Sequence, residues 1–213
     1  MPDSIAELRP RPGERVVVIL TGGRSFTVPG ERAQALSIGL ELTDEDIGQL
    51  DRIDQYFRGR DKAHRLIALR DRTRAQVKTA LIGLGIEAQI CDGIIGELEE
   101  QRLIDDVRYA REFVRTRSEV RLMGPHRLRR DLAGLGVARS IVDEAIAQEI
   151  DGDTQEAQAR SLVERKLANS IVDEKAVRRM AGLLRRKGYD YEIVNRIAYD
   201  LLSRAGSENA VED

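Results

Sequence analysis

The amino-acid sequence predicts an all-α protein of tandem three-helix repeats in an elongated, curved array, preceded by a small N-terminal β-hairpin. The main observation is a repeat: Gly85, Gly136 and Gly188 recur at intervals of 51 and 52 residues. Each glycine lies between two stretches in which apolar residues recur at helical spacing. The second is composition, because aromatic residues make up only 4% of a chain that is 41% hydrophobic. A fixed period of this length is typical of a tandem array, and an aliphatic core suits helix-on-helix packing.

Residues 1–52 are expected to hold a tail, the hairpin and the start of the first helix. Three prolines and a glycine within residues 1–13 predict a mobile tail. The β-branched runs 15–20 and 25–28 are joined through two glycines, which is a hairpin signal. A lone hairpin is marginal in water, so it must pack on the helices or pair with another strand.

The first repeat is placed at residues 53–103. Acidic residues after Thr43 favour a helix start, and that helix is expected to reach about Leu69, with Gly59 as a candidate break. Thr73 and Gln76 fit a capping box for the next helix, which stops at a left-handed glycine, Gly85. Its inward face is predicted to consist of Val77, Leu81 and Leu84.

The second and third repeats are placed at residues 104–152 and 153–205, and residues 206–213 are expected to form a disordered tail. In the second repeat Asp105 is predicted to cap a helix. Gly124-Pro125 restarts the chain, since proline suits the first helical position. In the third repeat Asp190 is predicted to cap the last helix. The inward positions of that helix are Ile193, Ile197 and Leu201.

Charge is segregated in phase with the repeat, although the net charge is only −2. Residues 58–78, 108–139 and 160–187 each carry a net charge of +6, whereas residues 87–106 and 143–156 each carry −6. If the repeats stack in register, the basic helices form a positive track that fits an extended polyanion or a negatively charged filament. The alternative is that helices of opposite charge pair with each other or simply keep the surface soluble.

The candidate binding residues are the basic side chains of these three blocks, because clustered Lys and Arg along one face form the electrostatic footprint of a polyanion-binding protein. The predicted basic face consists of Arg70, Arg72, Arg74, Lys78, Arg111, Arg115, Arg117, Arg127, Arg129, Arg130, Arg178, Arg179, Arg185, Arg186 and Lys187.

The second repeat holds the most specific motif. Residues 103–110 read Leu-Ile-Asp-Asp-Val-Arg-Tyr-Ala, and a basic helix, Gly124-Pro125 and a second glycine follow. Over residues 64–203 the chain resembles the RecX family of recombination regulators. The family commonly has lysine before the repeat glycine, and the third repeat keeps it as Lys187 while the second has Leu135. The positions matching the family motif are Asp105, Asp106, Tyr109, Ala110, Gly124, Leu132 and Gly136.

This resemblance implies a helical regulator of recombinational DNA repair and the SOS response. Members of the family bind the RecA protein and modulate its filament on single-stranded DNA, usually by inhibition, and some also bind DNA. The partner implied here is the RecA filament, with the basic helices facing the filament groove. The alternative is a helical-repeat protein that binds single- or double-stranded DNA directly, which predicts tight, salt-sensitive binding without RecA.

Enzymatic activity is not expected. Asp105 and Asp106 are interpreted as a helix cap and a first-turn residue instead of a catalytic or metal-binding pair. No cofactor or metal is expected, because no His or Cys lies near enough to Asp105 and Asp106 in the sequence to complete a familiar metal-site spacing. His64 and His126 both lie among arginines on basic helices, and neither is expected to be catalytic. Cys91 is interpreted as a buried hydrophobe.

A cytoplasmic monomer that does not contact membranes is expected. A single cysteine excludes an internal disulfide and is compatible with a reducing compartment. The sequence has no apolar run long enough to span a bilayer and no signal-peptide pattern near its N-terminus.

Overall fold

The computed structural model describes residues 3–168 and 171–209, with side chains as far as Arg204. These residues form four strands and ten helices. The chain divides into two compact units, Met1–Ile104 and Asp105–Asp213. The first unit holds all the strands described and four helices, and the second holds six helices.

The N-terminal strands form one antiparallel sheet in the order β3-β2-β1-β4. Its strands are β1 (Asp3–Arg11), β2 (Arg15–Leu20), β3 (Ser25–Pro29) and β4 (Glu41–Leu42), and a short helix, α1 (Gly30–Ala33), separates β3 from β4. The expected hairpin is present as β2 and β3, but it is part of a four-stranded sheet and not the whole β structure, because β1 pairs along the other side of β2. This pairing agrees with the expectation that the hairpin needs a further strand or the helices to be stable.

The mobile tail predicted for residues 1–13 was wrong for residues 3–11, because Asp3–Arg11 is a strand, and residues 1–2 lie outside the described part of the chain. Two features hold it in place: Ile5 is buried, and the Asp3 carboxylate accepts a 2.8 Å hydrogen bond from the Gly22 N–H in the β2–β3 turn. Proline is tolerated here because β4 pairs only with Asp3 and Ser4, so Pro10 has a neighbouring strand on one side alone.

The first long helix, α2 (Asp44–Leu69), covers the sheet. Thr43 forms the predicted helix start through a capping box with Asp46. The Asp54 carboxylate accepts a 2.9 Å hydrogen bond from the Thr27 N–H of β3. Arg15 in β2 lies 2.7 Å from the Asp61 carboxylate, and this hydrogen bond lowers the pKa of Asp61 below the usual range of an aspartate.

The second half of α2 packs with α3 (Arg74–Ile82) and α4 (Ala88–Glu100). Gly59 does not break α2; its missing side chain makes room, because a Cβ there would lie 2.6 Å from the Ile94 Cδ1. The prediction that Leu84 faces inward was wrong, since Leu84 is 44% exposed. Because α3 ends at Ile82, helical spacing no longer decides which side chains after it face inward. Ile86 occupies the core in place of Leu84.

The second unit has two further sets of three helices. The first set is α5 (Asp106–Glu119), α6 (Pro125–Gly134) and α7 (Arg139–Glu149). The second set is α8 (Gly152–Leu167), α9 (Glu174–Lys187) and α10 (Tyr191–Asn209). The disorder predicted for residues 206–213 was wrong for residues 206–209, which continue α10, and residues 210–213 lie outside the described part of the chain.

All three repeat glycines have a left-handed backbone, as predicted for Gly85. The φ angles are 76° at Gly85, 77° at Gly136 and 87° at Gly188, a region that a residue with a side chain rarely adopts. The leucine four residues before each glycine is buried: Leu81, Leu132 and Leu184 are at most 1% exposed. The motif of a helix, a glycine and a second helix therefore occurs three times in the described residues.

The last two repeats meet where the start of α6 touches the end of α9, and we call this contact the seam. The Gly124 N–H donates to the Lys187 carbonyl at 2.9 Å, and the His126 N–H donates to the Gly188 carbonyl at 3.0 Å. A Cβ at Gly124 would lie 2.4 Å from the Gly188 carbonyl oxygen. Both glycines are thus required for this backbone approach. Leu122, just before α6, is buried in the core of the third repeat.

Replacing the buried cap of α3 tests how far local helix signals stabilise the first unit. Thr73 is fully buried and accepts a hydrogen bond from the Gln76 N–H at 3.2 Å. We expect Thr73→Ala to lower the free energy of unfolding by about 1–2 kcal/mol in urea titration. The control is Thr79→Ala on the exposed side of the same helix, for which we expect a change within about 0.5 kcal/mol. Equal effects of the two substitutions would contradict the assignment of Thr73 as a stabilising cap of α3.

Substitution at the seam tests the backbone contact. A methyl group at Gly124 overlaps main-chain atoms of Gly188 and Tyr189, which cannot rotate away. We expect Gly124→Ala to lower the free energy of unfolding by about 2 kcal/mol or more. The same substitution should accelerate hydrogen exchange at the His126 N–H. Gly134→Ala is the matched control, because no atom lies within 4 Å of its added Cβ. A stable variant with unchanged exchange at His126 would show that the two backbones can separate freely.

Candidate cationic binding surface

The predicted basic residues of the first unit divide into two pairs. Arg74 and Lys78, on α3, contact carboxylates of α4: Arg74 binds Glu99, and the Lys78 Nζ lies 2.7 Å from Asp92. The hydrogen bond from Lys78 also lowers the pKa of Asp92. Arg70 is exposed at the end of α2, whereas Arg72 is half-buried. The basic and acidic helices of this repeat therefore pair with each other, as in the alternative interpretation of the charge pattern.

Most predicted arginines of the second repeat also have partners. Arg111 lies 3.2 Å from Glu149 and Arg129 lies 2.9 Å from Asp143, so α5 and α6 each contact an acidic side chain of α7. The hydrogen bond from Arg129 lowers the pKa of Asp143. The remaining contacts are local: Arg115 with Glu112, Arg117 over the ring of Phe113, and Arg127 with Asp131.

Arg130 and the cations at the end of α9 are different. The Arg130 Nε lies 4.0 Å from Asp131, and its side chain is 69% exposed. Arg185 and Arg186 are exposed and have no carboxylate partner among the described residues. Earlier on α9, Arg178 pairs with Glu174 one turn away, and Arg179 is exposed.

Lys187, the last residue of α9, lies close to further cations at the seam. Its ammonium group donates a 2.6 Å hydrogen bond to the Arg121 carbonyl. Burial lowers the pKa of Lys187, and so do the charges of four cations around it. These four are Lys166, Arg121, Arg127 and Arg165.

We define the cationic seam as the basic side chains that gather around this contact. Four of them, together with His126 and Gly188, line a single groove of about 350 Å³. The members of the cationic seam are Arg121, Arg127, Arg130, Arg165, Lys166, Arg185, Arg186 and Lys187.

The cationic seam has an excess of positive charge. Two carboxylates lie beside it, and both have partners: Asp131 binds Arg127, while Asp190 lies 2.8 Å from the His126 Nε2. Like charges that are held together without counter-charges repel one another, and a bound anion relieves that repulsion. The exposed guanidinium groups have the planar geometry that binds carboxylate or phosphate through two parallel hydrogen bonds. The surface is thus suited to bind an anionic partner.

A second groove adjoins the groove of the cationic seam and shares His126 and Arg130 with that groove. This α6–α7 groove has a volume of about 400 Å³ and an apolar floor of Ala133, Val137 and Val142. Its rim consists of the shared residues together with Arg129, Arg139 and Asp143.

The residues of the family-like motif have structural positions. Asp105 caps α5 by accepting a 2.9 Å hydrogen bond from the Arg108 N–H, and Asp106 lies in the first turn. Ala110 and Leu132 are fully buried, and Tyr109 packs against the same core. Gly124 forms the seam, and Gly136 lies in the loop between α6 and α7 with a left-handed backbone.

Three members of the cationic seam were missed by sequence reasoning: Arg121, Arg165 and Lys166. They fall inside the basic blocks, but their spacing along the chain does not distinguish them from other surface cations. The Gly124–Gly188 contact brings these residues together. It depends on two glycines that are 64 residues apart, so no local sequence pattern indicates it.

The described residues contain no group of His, Cys, Asp and Glu side chains arranged to hold a metal ion. Across the same part of the chain, every helix is too short or too polar to cross a membrane.

Comparison with known proteins identifies the last two repeats. Residues 105–146 match the model of the second three-helix domain of RecX, and residues 153–197 match that of the third. Regulatory protein RecX of Streptomyces coelicolor is 33% identical over 68% of this chain and 77% of its own length. Regulatory protein RecX of Halorhodospira halophila is 34% identical over 65% of this chain and 85% of its own length.

Two solved structures have a similar fold. The crystal structure of a regulatory protein RecX superposes with a TM-score of 0.68 at 23% identity, covering 91% of this chain and 97% of the other. RecX from Lactobacillus salivarius gives a TM-score of 0.63 at 26% identity, covering 70% and 97%. The residues that match the two domain models and the extent of the sequence identity lead to one conclusion: this chain belongs to the RecX family.

Proposed function

We propose that this chain binds the RecA filament on single-stranded DNA and slows its ATPase, recombinase and co-protease activities. Membership of a family of regulatory proteins supports a regulatory role, and the motif at residues 103–110 supports RecA as the target. The observation that carries the proposal is the cationic seam, where Arg130, Arg185 and Arg186 are all exposed. Arg185 and Arg186 have no carboxylate partner among the described residues, and the Arg130 Nε lies 4.0 Å from Asp131.

In the proposed mechanism the chain acts by binding alone and catalyses no reaction. A nucleoprotein filament presents closely spaced negative charge, and the exposed guanidinium groups supply matching positive charge. The chain is proposed to act in this way as a cytoplasmic monomer.

Removing the three exposed arginines tests the proposal. The wild-type chain should reduce RecA-driven ATP hydrolysis and strand exchange at ratios near or below one chain per RecA. Arg130→Ala/Arg185→Ala/Arg186→Ala should require at least about tenfold more protein for the same inhibition, which corresponds to roughly 1.4 kcal/mol of lost binding free energy. Circular dichroism and urea unfolding check that the variant is folded.

The charge-matched control replaces Arg52, Lys62 and Arg65 of α2, a helix outside the second unit. This control should inhibit RecA as the wild type does. If the wild type has no effect on a matched RecA at any ratio, the proposed function is wrong. If both triple variants lose inhibition equally, the cationic seam is not the contact surface.

The second candidate function is direct binding to DNA, because the same guanidinium groups fit phosphates. Binding of labelled single-stranded DNA without RecA, measured over a range of salt concentrations, separates the two functions. We expect weak binding by the chain alone and strong retention on RecA–DNA filaments in co-sedimentation. Tight binding to bare DNA that falls steeply with salt and does not change when RecA is added would favour the second function.

A further inference from the structure

The α6–α7 groove combines an apolar floor with a charged rim. Ala133, on the surface of α6, is exposed and supplies most of the accessible apolar floor. Val137 and Val142 line the groove from the core of the second repeat and are only 5% and 3% exposed. A groove with apolar lining and a few well-placed charges is the common form of a site for a side chain with charged neighbours. The groove lies within the second repeat and opens beside the cationic seam.

The rim of this groove already binds one carboxylate. Asp143 accepts a 2.9 Å hydrogen bond from the Arg129 Nε, and the Arg139 Nε lies 3.5 Å from its second oxygen. The Arg139 side chain is 95% exposed and can turn toward a partner. With Arg130 beside it, the rim has three arginines and one aspartate, so positive charge remains in excess.

The composition of the two grooves discriminates between classes of partner. No aromatic side chain lines either the α6–α7 groove or the groove of the cationic seam. Proteins that bind single-stranded nucleic acid combine a basic groove with aromatic rings on which the bases stack, and such rings are missing from these two linings. A sugar–phosphate backbone also has no aliphatic side chain that could enter the groove and cover its apolar floor. A peptide supplies both an aliphatic side chain and carboxylates.

We propose that the α6–α7 groove binds an acidic peptide segment. An aliphatic side chain of the segment covers Ala133, Val137 and Val142, while neighbouring carboxylates contact Arg130 and Arg139. Further acidic residues extend onto Arg185 and Arg186 in the adjoining groove. This inference deepens the proposed function by naming a protein segment, instead of DNA, as the chemistry that this surface recognises.

The test uses the full chain and three fluorescein-labelled probes of equal length, without RecA. The first is a peptide of Asp and Glu with one central Leu, the second has Ser in place of Leu, and the third is a thymidine oligonucleotide. Fluorescence anisotropy at physiological salt gives the affinities. We expect the Leu peptide to bind about tenfold more tightly than the Ser peptide, because only the Leu side chain buries apolar surface on the floor.

Substitutions then locate the site. Ala133→Gln fills the groove without changing charge, so it should abolish the preference for Leu and leave binding of the Ser peptide unchanged. Ala147→Gln is the matched control on the exposed side of α7, outside the groove lining, and should behave as the wild type. Arg139→Ala should weaken binding of both peptides, whereas Arg52→Ala in the first unit should weaken neither.

Three results would overturn the inference. These are equal binding of the Leu and Ser peptides, a preference for Leu that survives Ala133→Gln, and an oligonucleotide that binds more tightly than the Leu peptide and displaces it. The last result would assign the surface to nucleic acid. Because RecA is absent from this assay, its failure is distinguishable from a failure of the proposed function, which the ATPase and strand-exchange measurements decide separately.

Discussion

The second unit depends on the close approach of two backbones at Gly124 and Gly188. This contact sets the start of α6 against the end of α9 and thereby gathers cations from two repeats around one point. Two main-chain hydrogen bonds and the burial of Leu122 in the neighbouring core oppose the repulsion among those charges. The same contact that joins the repeats therefore creates the positively charged surface.

Local features of the structure could be predicted from the sequence because their causes are local. The capping box at Thr73, the cap at Asp105 and the left-handed glycines depend on residues within a few positions of each other. The strand β1 could not be predicted in this way. Its stability comes from Ile5 and Asp3 contacting segments much later in the chain, and these contacts outweigh the signal of its prolines.

The sequence could predict which basic residues are candidates for the site, but not which of them stay free of carboxylate partners in the fold. Segregation of basic and acidic blocks is visible in the sequence, but the partner of each side chain is not. Arg74 and Arg129 each contact a carboxylate of the following acidic helix, which leaves little free charge at those positions. Arg185 and Arg186 look the same in the sequence, yet they stay unpaired among the described residues because α9 ends at the seam instead of against an acidic helix.

The hydrogen bond between Asp54 and the Thr27 N–H has a consequence for solubility. β3 is an outer strand of the sheet, and an outer strand with free main-chain donors is a template on which other chains can assemble. Asp54 reaches out from α2 and occupies the donor at the middle of β3. An incoming strand would have to displace a buried carboxylate, so this border of the sheet is protected against intermolecular aggregation.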